Sequence, residues 1–160
     1  MPSRNEEIIE RLYTALAARD GDAAAACYAP TATFTDPVFQ DLQGAEPGAM
    51  WRMLAERSDD LQVELREHGA EGDVGAAHWL ARYTFSQTGR PVLNDIESRF
   101  RFADGLIVEQ RDKFSFYEWA RQALGPAGLL LGWTPLMRAG VRRRARGSLE
   151  EFLARAPSEH

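Results

Sequence analysis

The 160-residue sequence predicts an α+β fold, with helices packed on one side of a curved antiparallel sheet. Two observations carry that prediction. Apolar residues recur at helical spacing as far as Arg57, then alternate with polar ones from Leu61 to Phe116. Turn signals separate the alternating runs at Gly72-Asp73, Thr88-Gly89-Arg90 and Asp104-Gly105. Asp104-Gly105 is the strongest short hairpin signal in the chain.

Taken in order, Ile8, Ile9, Leu12, Tyr13 and Leu16 form the apolar stripe of a first helix over 5–18. Asp20-Gly21-Asp22 ends it and offers an N-cap to a second helix ending near Pro30. Thr31 to Phe39, rich in Thr, Phe and Val, predicts a short strand interrupted at Asp36-Pro37. A third helix is expected from Glu46 to Arg57, with Trp51 and Leu54 on its buried face. In the sheet region Leu61, Val63 and Leu65 alternate with polar residues. Trp79, Ala81, Tyr83 and Phe85 share one face, and His78, Arg82, Thr84 and Ser86 the other. Ile96, Ser98, Phe100 and Phe102 line up on the next strand, and Gln110, Asp112 and Phe114 on the last, with Glu109, Arg111 and Lys113 opposite.

Composition narrows the classes. With 44% apolar residues the chain is ample for one core, and neither collagenous nor disordered. No apolar run approaches a membrane span, Leu129-Leu130-Leu131 being a short one, and the first seven residues lack a signal peptide's apolar centre. The single Cys27 leaves no internal disulfide, so a cytoplasmic protein is expected. Eighteen arginines against one lysine, with abundant alanine, point to a GC-rich bacterial gene. A net charge of −5 argues against nucleic-acid binding. That charge is divided: residues 1–137 carry a net −8 and residues 138–160 a net +3.

Glu10-Arg11-Leu12-Tyr13-Thr14-Ala15-Leu16, Asp20-Gly21-Asp22 and Ala32-Thr33-Phe34-Thr35-Asp36-Pro37-Val38 resemble the opening pattern of the ketosteroid isomerases. Leu61-Gln62-Val63-Glu64-Leu65, Thr88-Gly89-Arg90 and Phe100-Arg101-Phe102 follow in register, so the resemblance covers about residues 6–116. It implies the wider SnoaL-like, nuclear transport factor 2-like superfamily. Its fold is a cone, a strongly bent sheet and helices around a deep apolar pocket. That superfold hosts isomerases, cyclases, epoxide hydrolases, dehydratases and non-enzymatic modules.

By resemblance, Asp36 matches the isomerase's general base, which moves a proton between two carbons of an enone. The family's oxyanion donors, a tyrosine and a protonated aspartic acid, align with Leu12 and Ser98. Tyr13 lies about 100° from Leu12 on an ideal helix. Steroid isomerisation is therefore expected to be low or absent. Acidic residues on the last strand serve acid/base chemistry in SnoaL-like cyclases and limonene epoxide hydrolase-like enzymes. Asp112 is thus a candidate second acid/base group and Tyr83 a phenolic donor. Leu12, Trp51, Trp79, Phe85, Ser98, Phe100, Gln110 and Phe114 are the candidate substrate-binding residues, forming a wall for a small, largely apolar organic molecule. Isomerase-, cyclase- or hydrolase-type chemistry without a cofactor is the expectation. The alternative is a non-catalytic binding or assembly module.

Plainer readings compete. Asp36 before a proline suits an Asx-turn, Asp112 an ion pair with Arg111 or Arg99, and Tyr83 plain core. His68, His78 and His160 lack metal-ligand spacing, and no metal is expected. The organisation expected is a domain over 1–116 and a helical extension over 117–160 packing on it. Leu129, Leu130, Leu131, Trp133, Leu136 and Phe152 are expected to cover the cone's mouth or a subunit interface, in a homodimer, with membrane contact through the basic tail unfavoured.

Overall fold

A computed structural model describes residues 3–155; His160 lies outside them. The helix α1 (Arg4–Ala17) starts where the Ser3 side chain accepts the Glu6 N–H. Its apolar stripe is broad, with Ile8, Ile9, Leu12, Tyr13, Ala15 and Leu16 all buried. The Asp20 side chain caps α2 (Gly21–Ala25), which stops well short of Pro30. The chain is already extended from Tyr28, so β1 (Tyr28–Thr35) begins earlier and ends sooner than its composition predicts. A two-residue strand, β2 (Leu42–Gln43), precedes α3 (Glu46–Arg57), which has the expected bounds.

The strands β3 (Gln62–Glu71), β4 (Val74–Phe85), β5 (Arg90–Ala103) and β6 (Leu106–Lys113) form the expected antiparallel meander. The alternation on β5 is complete: Val92, Asn94, Ile96, Ser98, Phe100 and Phe102 are buried between exposed neighbours. Asp104 and Gly105 both take positive φ, 51° and 77°, as a primed hairpin turn requires. Register shifts at Leu65/Glu67 and Arg101/Phe102 add local bend to the ribbon.

The whole sheet is mixed rather than antiparallel. Its order is β2-β1-β6-β5-β4-β3, and β1 runs parallel to β6. A meander pattern carries no sign of this, because β1 and β6 are separated by the rest of the domain. Packing of α1 and α3 on the inner face makes a core centred on Ile9, Leu12, Tyr13, Phe34, Met50, Met53 and Ile107.

After β6, the helix α4 (Phe116–Leu124) is capped by Ser115 and buries Phe116, Trp119, Ala120 and Ala123 against Val92. The short α5 (Pro126–Leu131) turns back so closely that a Cβ on Gly128 would stand 1.9 Å from the Ala120 carbonyl oxygen. The last helix, α6 (Pro135–Arg155), returns across the cone and plugs Leu149 and Phe152 into the main core. Arg138 lies over the Phe116 ring at 5.4 Å, Arg142 Nε donates to the Pro37 carbonyl at 3.0 Å, and Arg146 meets Glu46 at 2.7 Å.

One expectation for the tail fails in part. Phe152 is buried, but Leu129, Leu130, Leu131, Trp133 and Leu136 do not pack on the cone; Leu136 is 82% exposed. The tight α4–α5 turn faces them outward, and α6 alone spans the mouth. No helix among the described residues is long and apolar enough to cross a membrane.

Two leucines of the C-terminal helices are therefore expected to differ in weight. Leu149→Ala, at a fully buried site, should cost about 2–5 kcal/mol in urea denaturation, and Leu130→Ala less than about 0.5 kcal/mol.

Candidate functional site

The cone encloses a cavity of about 690 Å³. Its wall includes Trp51 from α3, Trp79, Ala81, Tyr83 and Phe85 from β4, Phe114, Trp119 of α4, and Met137 and Val141 of α6. Asp36 and Asp112 both stand in that wall. The parallel pairing explains their proximity. Thr35, the last residue of β1, pairs with Arg111, so the residue after each, Asp36 just past β1 and Asp112 still within β6, comes to the same end of the sheet.

Asp112 sits directly opposite Ser98 on β5. Its Oδ1 accepts the Ser98 hydroxyl at 2.6 Å and the Gln110 amide at 2.9 Å. Both donors are themselves held. Ser98 Oγ accepts Tyr13 OH and Trp79 Nε1, each at 2.9 Å. Gln110 Oε1 accepts Tyr28 OH, whose oxygen accepts Trp51 Nε1 at 2.7 Å. Two chains of neutral donors thus converge on one carboxylate oxygen, and no arginine pairs with it.

The Asp36 carboxyl is fastened differently. Its Oδ1 accepts the backbone N–H groups of Val38 at 2.7 Å and Phe39 at 2.6 Å, while the Asp36 N–H donates to the Phe39 carbonyl. This is the Asx-turn that Asp-Pro suits, and it aims the side chain at the cavity. For both aspartates Oδ2 accepts no hydrogen bond among the described residues. No deeply buried polar side-chain atom among them lacks a partner, so each Oδ2 keeps some accessible surface, and both residues line the cavity.

Burial raises both carboxyls, and neither makes an ion pair among the described residues. It pushes Asp36 up to about 7, with the Asp112 charge adding to the rise and the Phe39 and Val38 N–H groups and Arg142 opposing it. Burial pushes Asp112 up to about 6, against its bonds from Ser98 and Gln110. Tyr83 rises to about 12, chiefly by burial, opposed by the Trp119 indole N–H that donates to its oxygen at 2.8 Å. That contact leaves the Tyr83 proton free to donate into the cavity.

Several candidate residues lie elsewhere than expected. Leu12 is core, and Phe100 stacks with Phe102 behind the wall. Ser98 and Gln110 stand behind Asp112 as its donors rather than in the wall. Tyr13 turns inward because the α1 stripe is wide enough to bury both it and Leu12. A 100° offset from Leu12 therefore does not carry it out of the core. Tyr28 and Trp119 join the polar network unforeseen: the first lies outside the predicted strand, the second in the extension. Among the described residues no cluster of His, Cys, Asp or Glu could hold a metal ion, and His68 and His78 pair with Glu10 and Asp95.

Residues 9–110 match the SnoaL-like domain family, to which this chain belongs. No curated protein matches it. Among solved structures, a Catenulispora acidiphila protein with a ketosteroid isomerase-like fold, in complex with trimethylamine, superposes with a TM-score of 0.67 at 18% identity, over 81% of this chain and 98% of that one. An M. tuberculosis epoxide hydrolase of limonene epoxide hydrolase-like type gives 0.64 at 21%, over 84% and 95%. A Jannaschia protein described as a candidate SnoaL-like polyketide cyclase gives 0.67 at 19%, over 77% and 93%. These likenesses establish the NTF2-like cone.

Removing the Asp112 charge should lower the Asp36 pKa, and Arg142→Gln should raise it; carboxyl ¹³C NMR titration of Asp112→Asn and Arg142→Gln reads both signs. Each raised carboxyl binds its proton more tightly folded than unfolded. Its stabilisation is therefore present at pH 4 and lost as pH rises toward 7. The melting temperature of Asp112→Asn relative to the native chain should accordingly climb across that window.

Proposed function

We propose that this chain binds a small, largely apolar organic molecule in the cone and moves a proton on it. Asp36 is the general base, Asp112 the second acid/base group and Tyr83 the hydrogen-bond donor. One observation carries the reading: two carboxyls with no ion-pair partner among the described residues, both raised toward neutrality, line one largely apolar cavity. Near neutral pH the pair shares protons, so one member can accept while the other donates.

In the step this supports, the Asp36 carboxylate takes a proton from a carbon beside a carbonyl. The C–H electron pair shifts into the new C=C bond, and the carbonyl pair onto oxygen. The Tyr83 O–H hydrogen-bonds that oxygen. Return of a proton from Asp112 or Asp36 to carbon closes an isomerisation. Cyclisation or hydrolysis would use the same pair with a different electrophile. Tyr13 and Ser98 are spent on Asp112, so they form no oxyanion hole for a steroid. Turnover of a 5-ene-3-ketosteroid is expected to be low or absent.

A second reading, a ligand-binding module without chemistry, has its own support: Asp36 is tied into a turn by two backbone N–H groups. Exchange of the α-protons of 2-tetralone in D₂O, followed by NMR, separates the two. The catalytic reading expects acceleration over buffer that falls about 100-fold or more in Asp36→Asn and about 10-fold or more in Tyr83→Phe. Exchange at the buffer rate, with 2-tetralone still bound, would establish the binding module instead.

A further inference from the structure

We infer that the mouth of the cone is an anion-recognition site, so that the ligand is an amphipathic organic acid: apolar body inward, carboxylate or equivalent anion at the rim. The inference rests on the proposed ligand pocket and adds the ligand's charge and orientation.

Three guanidinium groups stand in the cavity wall: Arg57 at the end of α3, and Arg143 and Arg144 on α6. Among the described residues Arg57 and Arg143 make no ion pair and no side-chain hydrogen bond, and Arg144 reaches only the neutral Gln87 amide oxygen at 3.3 Å. Their neighbour Arg146, two residues further along α6, is neutralised by Glu46 at 2.7 Å and Glu150 at 3.1 Å. The contrast is local. Among the described residues Arg146 is the α6 arginine that is ion-paired, whereas the arginines at the opening have no carboxylate partner.

Charge then runs in one direction through the cavity. Its acidic pair, Asp36 and Asp112, repels an anion, while the apolar walls desolvate one at a cost. The rim offers several forked donors suited to a carboxylate or sulfonate. Residues 1–137 carry a net −8, a field that by itself disfavours anionic ligands. Placing unpaired arginines at the opening offsets it at the one point where a ligand enters. An apolar acid is thereby held with its uncharged end against the two carboxyls.

The test compares two fluorescent probes with the same ring system. 1-Anilinonaphthalene-8-sulfonate is anionic, and N-phenyl-1-naphthylamine lacks the sulfonate. Mutual displacement shows that they share the cavity. In Arg57→Gln/Arg143→Gln/Arg144→Gln the sulfonate's Kd is expected to rise about tenfold, with the neutral probe changed less than about twofold. Added salt should weaken only the sulfonate. Should the triple variant fold poorly, Arg143→Gln alone carries the comparison, with an expected rise of about threefold. Unchanged sulfonate affinity in a variant that binds the neutral probe normally overturns this inference and leaves the pocket intact. Failure of the native chain to bind the neutral probe overturns the pocket reading itself.

Discussion

The parallel pairing of β1 with β6 is the constraint on which the site depends. Antiparallel hairpins deliver neighbouring strand ends to opposite ends of a sheet. A parallel pair delivers both C-termini together, and here Asp36 follows the last residue of β1 while Asp112 is the penultimate residue of β6, both lining the cavity. Asp36 raises no chemistry alone. Beside Asp112, lining the same largely apolar cavity, its pKa is raised further by the neighbouring charge.

Such a pair is costly to hold. An unpaired buried carboxylate is tolerated only where hydrogen bonds replace its lost hydration. The chain supplies them in two unlike ways. Around Asp112 the donors are side chains, Ser98 directly opposite on β5 and Gln110 two residues earlier on β6, braced by Tyr13, Trp79, Tyr28 and Trp51. Around Asp36 they are backbone N–H groups of a turn. Neutral donors moderate the pKa rise without abolishing it, as an arginine would. That difference keeps both groups titrating near neutrality. The Asx-turn and the acid/base role of Asp36 are compatible: the turn occupies one oxygen and leaves the other to the cavity.

Local pattern disclosed much of this. Period-two alternation placed Asp112, Ser98 and Gln110 on one inward face, since a slip of one residue would have put Arg111 there instead. Asp104-Gly105 located the last hairpin, and Gly44 with Glu46 the start of α3. Long-range facts were not legible. Nothing near Thr31 signals that β1 starts at Tyr28 or that its partner is a parallel strand some eighty residues away. The inward turn of Tyr13 depends on how deeply α1 sinks onto the inner face of the sheet, which helical angles do not encode. Nor does a run of leucines say which way it faces; the close approach of Gly128 to Ala120 turned Leu129 to Leu131 outward.

The α6 helix joins stability to access. Its C-terminal half is fixed in the main core by Leu149 and Phe152, while Met137 and Val141 rest on the Trp119 cluster around α4. Between these anchors lies the stretch that faces the cavity, Gly140 to Ser148. It is held to the rim by polar contacts, Arg142 to Pro37, Arg144 to Gln87 and Arg146 to Glu46. Exposed polar contacts contribute far less than buried leucines, so the helix is firm at its ends and weaker where it spans the mouth. Arg142, bonded to the Pro37 carbonyl beside Asp36, also opposes the rise of the Asp36 pKa, so the span that covers the cavity bears on the charge of a carboxyl in its wall.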